Sequence, residues 1–275
     1  MLVDTHCHLD VDEFAHDRDE VVRRAMRQDV VAQIVPAIDH AGWLGLREVC
    51  ASHAGLHAAY GLHPMFLAAH EPSHLEALER WIERERPVAV GECGLDHFVE
   101  GLDRDTQRRY FDAQLAIARA HGLPVIMHAR HAVEAVIASL RKMPGIRGVV
   151  HSFAGSIEQA RQLWDIGMHV GLGGPVTYSR ANKLRRVAAE VPIEQLLLET
   201  DAPDQPLSTR RGQRNEPAHL VGVCAAIAEL RGMDTQTLAS ATTRNACGLF
   251  GLSGDGARAA SRPDAGAASA HRLSS

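Results

Sequence analysis

His6 and His8 stand one residue apart in Val3-Asp4-Thr5-His6-Cys7-His8-Leu9-Asp10, close to the start of the chain. Side chains alternate faces along an extended segment, so the two imidazoles point the same way. Together they can hold one side of a metal ion, with nitrogen-to-metal distances of roughly 2.0–2.1 Å for a zinc-like ion. Two ligands do not make a site, and an H-x-H pair alone fits ordinary polar residues at a strand end equally well. Further metal-competent side chains follow apolar runs: His63 in Gly61-Leu62-His63-Pro64, Glu92 in Gly91-Glu92-Cys93-Gly94-Leu95-Asp96, then His128, His151, and Asp201 in Glu199-Thr200-Asp201.

These residues are scattered over two hundred positions, so the elements that carry them must converge. Eight short apolar runs read as strands: Leu2 to His6, Ala32 to Pro36, Leu56 to Tyr60, Val88 to Glu92, Val125 to His128, Val149 to Ser152, His169 to Leu172 and Leu196 to Thr200. Between them lie amphipathic stretches such as Arg18 to Arg27, Gln107 to His121 and Ile157 to Ile166, with apolar residues at three- and four-residue spacing. Pro87, Pro124 and Pro192 fall just before strands, where a helix has ended. Eight strand–helix repeats predict an α/β fold, a parallel sheet closed into a single (β/α)₈ TIM barrel. An open doubly wound sheet would give the same alternation, but no Gly-rich dinucleotide fingerprint follows the first strand. In such a barrel the C-terminal strand ends share one face, where active sites are built. His6, His8, Glu92, His128, His151 and Asp201 would then meet around a metal site.

The bulk properties agree. A chain of 275 residues, 45% hydrophobic and 23% charged, suits one barrel spanning residues 1–252. Residues 253–275, rich in Ala, Gly, Ser and Arg, read as a disordered tail. A net charge of −5 argues against a protein that coats nucleic acid non-specifically. The five cysteines form no C-x-x-C pair, which predicts a reducing cytoplasm. No secretory signal or membrane span is expected, and no obligate protein partner is evident.

Asp4-Thr5-His6-Cys7-His8-Leu9-Asp10, Gly61-Leu62-His63-Pro64, Gly91-Glu92-Cys93-Gly94-Leu95-Asp96, Leu123 to His128, Val150 to Gly155, Glu199-Thr200-Asp201-Ala202-Pro203, Arg214-Asn215-Glu216-Pro217 and Thr243-Arg244-Asn245-Ala246 together resemble the TatD family of metal-dependent hydrolases, in family order. The resemblance implies an amidohydrolase-type TIM barrel, two divalent metal ions (Zn, Mn or Mg) and phosphodiester hydrolysis, described as a deoxyribonuclease activity of 3′–5′ exonuclease type. Carried over by position, His6, His8 and Asp201 would bind the first metal, His128 and His151 the second, and Glu92 would bridge both. The chain departs from the family at His97-Phe98, Ala129-Arg130 and Asp204-Gln205-Pro206-Leu207, all expected on the substrate side. The pattern is more similar to the YjjV-like branch than to TatD itself.

A carboxylate between two histidine sets suits two cations about 3.5–4 Å apart, whose bridging water would ionise near neutral pH and attack phosphorus in line. Asp201 would orient that water and take its proton, or act as a plain ligand; the two roles are compatible. His63 would bind a phosphate oxygen or hold a ligand in place. Arginines match phosphate geometry, and loops after strands seven and eight are common phosphate sites, so Arg180 and Arg214 are candidate contacts to DNA or another phosphorylated substrate. The alternative is hydrolysis of a small ester, amide or lactone on the same barrel. Many barrels of that kind bridge their metals with a carboxylated lysine, whereas the only lysines here, Lys142 and Lys183, lie away from strand ends.

Overall fold

The computed structural model describes residues 1–252; the expected tail, 253–275, lies outside them. Eight strands, β1 (Leu2–Asp4), β2 (Val30–Pro36), β3 (Leu56–Tyr60), β4 (Ala89–Asp96), β5 (Val125–Arg130), β6 (Gly148–Val150), β7 (Met168–Leu172) and β8 (Leu196–Leu198), pair in parallel in sequence order. The seam between β8 and β1 is drawn together just past their ends. The Thr5 N–H and hydroxyl both donate to the Leu198 carbonyl at 3.0 Å, and the Asp201 N–H donates to the His6 carbonyl at 2.9 Å. The sheet is a nearly closed barrel.

All eight expected strands are present. β4 and β5 run farther than their apolar patterns, whereas β1, β6 and β8 stop short of the polar residues that follow them. The path past β1 stays extended: Thr5 bonds to β8, Cys7 N–H donates to the Ile34 carbonyl of β2 at 3.1 Å, and His8 N–H to the Ala202 carbonyl at 2.7 Å. Bonds to β8, to β2 and to the loop after β8 therefore anchor the backbone of the H-x-H segment, and its extended path puts the two histidine side chains on one face.

Among the described residues nine α-helices accompany the strands: α1 (Arg18–Arg27), α2 (Trp43–Ser52), α3 (Ser73–Glu85), α4 (Arg104–His121), α5 (Val133–Lys142), α6 (Ile157–Asp165), α7 (Asn182–Glu190), α8 (Leu220–Arg231) and α9 (Thr235–Phe250). Local chemistry sets their starts. Asp103 accepts the Thr106 N–H at 2.7 Å ahead of α4, and Ser156 with Gln159 forms a reciprocal capping box on α6. In α6 the buried Ile157, Ala160 and Leu163 form one stripe toward the barrel.

The core has two layers. Ala32, Ile34, Ala59, Ala89, Ile126, Val149 and Leu197 join Ala246, Leu249 and Phe250 of α9, which packs across the N-terminal end of the barrel. Asn245 holds that helix in place through the Ile193 and Leu196 carbonyls, at 2.7 and 3.0 Å. The outward faces of the strands bury Val35, Val90, Met127, Val150, Val170 and Leu198 against the surrounding helices. Apolar side chains thus fill the N-terminal end of the barrel. No helix among the described residues is long and apolar enough to cross a membrane.

Candidate metal centre

The mouth gathers the six residues expected to bind metal. Glu92, buried midway along β4, lies among them. Its Oε2 faces His6 Nε2 at 3.2 Å and His8 Nε2 at 3.7 Å. Its Oε1 faces His151 Nε2 at 2.7 Å, His63 Nε2 at 2.9 Å and His128 Nδ1 at 3.1 Å. Asp201 Oδ1 completes the first side, 3.6 Å from His6 Nε2 and 3.8 Å from His8 Nε2. Each oxygen of one carboxylate thus addresses a different histidine group.

These residues fit divalent cations. His6 and His8 turn their Nε2 atoms toward each other at 3.2 Å, close to the ~3.3 Å edge of a tetrahedron with roughly 2.0–2.1 Å arms. His151 Nε2 is buried 2.7 Å from Glu92 Oε1 without the alignment of a hydrogen bond, and a cation beside the two would satisfy both. His128 makes the same point through its other nitrogen. Its Nε2 lies 2.8 Å from Asp96 Oδ2, so a neutral ring donating there turns a lone pair on Nδ1 toward Glu92 Oε1. Two acceptors at 3.1 Å require positive charge between them, a proton or a metal ion.

The electrostatics follow from burial and crowding. Burial opposes ionisation of Glu92, but His151, His63 and His6 outweigh it and hold the carboxyl well below its usual range. Burial likewise works against a charged His151, yet Glu92 beside it pushes the imidazole up to about 10. His6 goes the other way, to about 4, through burial and then the neighbouring His151. Asp201, despite burial, is lowered by His6, His151 and His8. The cluster is built around anionic carboxylates that demand cationic company.

A family model described as TatD related DNase matches residues 3–251. The chain belongs to the TatD-related DNase family. Its similarity to curated TatD-family relatives spans nearly their whole length. It is 39% identical over 253 residues to the uncharacterized metal-dependent hydrolase YjjV of Escherichia coli strain K12, covering 91% of this chain and 98% of that one. It is 33% identical over 264 residues to the 3′-5′ ssDNA/RNA exonuclease TatD of Klebsiella pneumoniae strain 342, covering 93% and 100%. The crystal structure of the Escherichia coli YjjV TatD homologue superimposes with a TM-score of 0.88 at 38% identity, covering 92% of this chain and 98% of that chain. As a TatD-family protein the chain is a metal-dependent hydrolase.

The site also contains residues to which the sequence assigned no role. Asp96 is buried, accepts the Phe98 and Val99 N–H groups on Oδ1 at 2.9 Å each, and meets His128 on Oδ2. Against the cost of burial, His128 and those amides hold it well below the ordinary carboxylate range. Its place was readable in principle: Glu92, Gly94 and Asp96 alternate along β4 and share a face. Gly94 between them has φ +135°, and a Cβ there would overlap the His128 carbonyl. Glu199 takes the Ser152 N–H, and burial pushes its carboxyl up to about 8. Gln205 donates to both Asp201 Oδ2 and Ser152 Oγ, joining the β8 and β6 ends. Asp4 lies beneath the centre, accepting the Thr200 hydroxyl at 2.5 Å and the Thr200 N–H at 2.9 Å.

His63 lies against Glu92 and lines the cleft. Its Nδ1 accepts the Met65 N–H at 3.1 Å, which leaves Nε2–H to donate to Glu92. Arg214 is not brought to the ligands. Its guanidinium grips Asp17 at 2.7 and 2.8 Å, donates to the Glu13 carbonyl at 2.6 Å, and lies over the Phe14 ring. Asn215 next to it ties down the β8 loop through the Thr200 and Asp204 carbonyls, both at 2.9 Å. The Arg-Asn-Glu-Pro motif here is a clamp on that loop: Arg214 binds Asp17 and Glu216 binds Arg24. Arg180 is exposed on the segment between β7 and α7 and is not among the residues lining the cleft at the ligands.

Proposed function

We propose that this hydrolase cleaves phosphodiester bonds in DNA, acting from a 3′ end in the manner of an exonuclease, with two divalent ions on either side of Glu92. The observation that carries this reading is the split of the Glu92 carboxylate, one oxygen toward His6 and His8 and the other toward His128 and His151. His6, His8 and Asp201 would hold one ion, His128 and His151 the other. When bound, Zn, Mn or Mg supplies Lewis acidity toward phosphoryl oxygens and makes water a competent nucleophile at neutral pH. The protein's own residues do the rest. Asp96 fixes the His128 ring and its tautomer, and His63 fixes Glu92 by donating from Nε2. Gln205 orients Asp201 through Oδ2, leaving Oδ1 among the histidines, where it would receive a proton from the attacking water.

The cleft above the ligands, 270 Å³ and lined by His8, His63, Phe66, Glu92, His151 and Asp201 among others, is open to solvent from the barrel mouth. The relative named as an exonuclease on single-stranded DNA and RNA supports a nucleic-acid substrate. A cytoplasmic site of action belongs to the same proposal and follows from the cysteine usage. The test is hydrolysis of end-labelled single-stranded DNA, bis-p-nitrophenyl phosphate, simple amides and lactones, each with Mg, Mn and Zn. Stepwise shortening from the 3′ end is expected; hydrolysis confined to amides or lactones would refute the proposal.

A further inference from the structure

The cleft above the ligands has walls of two kinds. Apart from the candidate ligands and His63, it is lined by the apolar Val11, Ile38, Met65, Phe66 and Pro203 and by the carboxylates of Glu13 and Asp204. No lysine or arginine among the described residues lines it. At 270 Å³ it is near the lower end of ligand-sized clefts, which run from roughly 300 Å³ upward, and so suits one nucleoside rather than a run of them. Met65 and Phe66 are 39% and 38% exposed, which leaves apolar surface for an uncharged group attached to the scissile phosphate.

The two acids are held in place and left unpaired. Glu13 follows β1 and Asp204 follows β8, the strands that meet at the seam of the barrel. The Glu13 carbonyl accepts the Arg214 guanidinium at 2.6 Å. The Asp204 N–H donates to the Asp201 carbonyl, and its own carbonyl accepts the Asn215 side-chain N–H, both at 2.9 Å. The arginines of this corner are engaged elsewhere: Arg214 with Asp17, Arg24 with Glu216, and Arg18 with the Asp10 and Val11 carbonyls. Among the described residues no ion pair engages the Glu13 or Asp204 carboxylate. Basic side chains gather across the mouth instead. His97, His131 and Lys183 line a recess of 540 Å³ beside β5, on the far side of the ring from β1, where Glu134 is already occupied by the Gln159 side-chain N–H. A polyanionic strand can run its phosphates over that side, but not over Glu13 and Asp204.

We propose that Glu13 and Asp204 make this cleft selective for a strand end that carries no phosphate: the terminal nucleoside lies against the apolar wall with its free 3′-hydroxyl toward the two carboxylates, and a 3′-phosphate is rejected there. The proposal rests on the phosphodiesterase reading above. A hydroxyl can donate to a carboxylate. A terminal phosphate brings a charge of about −1.5 to −2 at neutral pH against two carboxylates with no cation to share. Selection of this kind comes from a repulsive element set against the wrong partner. The same wall explains why hydrolysis would start at an end, because an internal phosphodiester would carry a further phosphate past the same two acids.

The experiment follows two 5′-labelled single strands of one sequence, ending in a 3′-hydroxyl or a 3′-phosphate, with Mn and with wild type, Glu13→Gln, Asp204→Asn and the double variant. Wild type should shorten the hydroxyl-ended strand with a kcat/KM at least roughly tenfold higher, the scale of one like-charge contact near a protein surface. The double variant should bring that ratio toward one by gaining on the 3′-phosphate strand, with each single variant in between. A gain on one substrate is a readout that a damaged fold does not imitate. Equal cleavage of the two strands by wild type would overturn the selection and leave the phosphodiesterase reading standing. So would an unchanged ratio in the double variant, or one that narrows only by loss on the hydroxyl-ended strand. Wild type that cleaves neither strand would overturn both.

Discussion

Replacing Asp96 by Asn tests whether the His128 ring is held in the form a metal ion needs. Asp96 Oδ1 accepts two backbone N–H groups at 2.9 Å each, and Oδ2 lies 2.8 Å from His128 Nε2. An Asn side chain can keep its oxygen on the two amides, which leaves its NH₂ group facing the imidazole. Two donors cannot share that contact, so His128 must carry its proton on Nδ1 instead. Nδ1 is the atom 3.1 Å from Glu92 Oε1, and once protonated it cannot ligate. Loss of a carboxylate partner of this kind costs about 10–100-fold in metal affinity, or about 1.4–2.8 kcal/mol at about 1.4 kcal/mol per decade. Chelator competition with Mn or Zn on wild type and Asp96→Asn measures it directly. One of two ions should bind 10–100-fold more weakly, on the same scale, and excess metal should restore most of kcat. Unchanged affinity would refute the reasoning; weaker activity that no concentration of metal restores would move Asp96 from positioning into the chemistry.

Arg214→Ala should act on stability, because its guanidinium is bound to Asp17 and to the Glu13 carbonyl. Urea unfolding should show a loss of about 1 kcal/mol for this partly exposed pair, with KM for a phosphodiester changed less than about twofold; a large rise in KM at intact stability would contradict the clamp. The same pair has a pH signature. Arg214 lowers the Asp17 carboxyl to about 2 in the folded protein, so its stabilisation is complete above the unfolded value near ~4 and lost as pH falls through about 2. The stability gap between wild type and Asp17→Asn should close over that interval, and a constant gap would exclude the pair as its source. Gly94→Ala places a Cβ against the His128 carbonyl at a positive φ; a loss of at least about 2 kcal/mol is expected, read from the thermal midpoint.

The barrel was legible because its strands are short apolar runs punctuated by Pro87, Pro124 and Pro192, and because helix and strand periods differ. The convergence of His6, His8, Glu92, His128, His151 and Asp201 was legible for the same reason: each follows such a run, and topology alone brings those positions together. The groups that orient the ligands were harder to read. Asp96 and Glu199 are buried carboxylates whose partners, His128 and Ser152, lie on other strands, and no spacing in the sequence records which side chains meet across a barrel mouth. Arg214 shows the opposite hazard. A basic residue on the loop after β8 suggests phosphate, but Asp17 at the start of α1, 197 positions away, takes its charge first.

The central claim is that Glu92 lies between two metal ions. A crystal soaked in Mn and measured at wavelengths where Mn scatters anomalously tests it most directly. Two peaks about 3.5–4 Å apart are expected, one beside His6, His8 and Asp201, the other beside His128 and His151, with the Glu92 carboxylate touching both. A single peak out of reach of Glu92, or none in the barrel mouth, would contradict it.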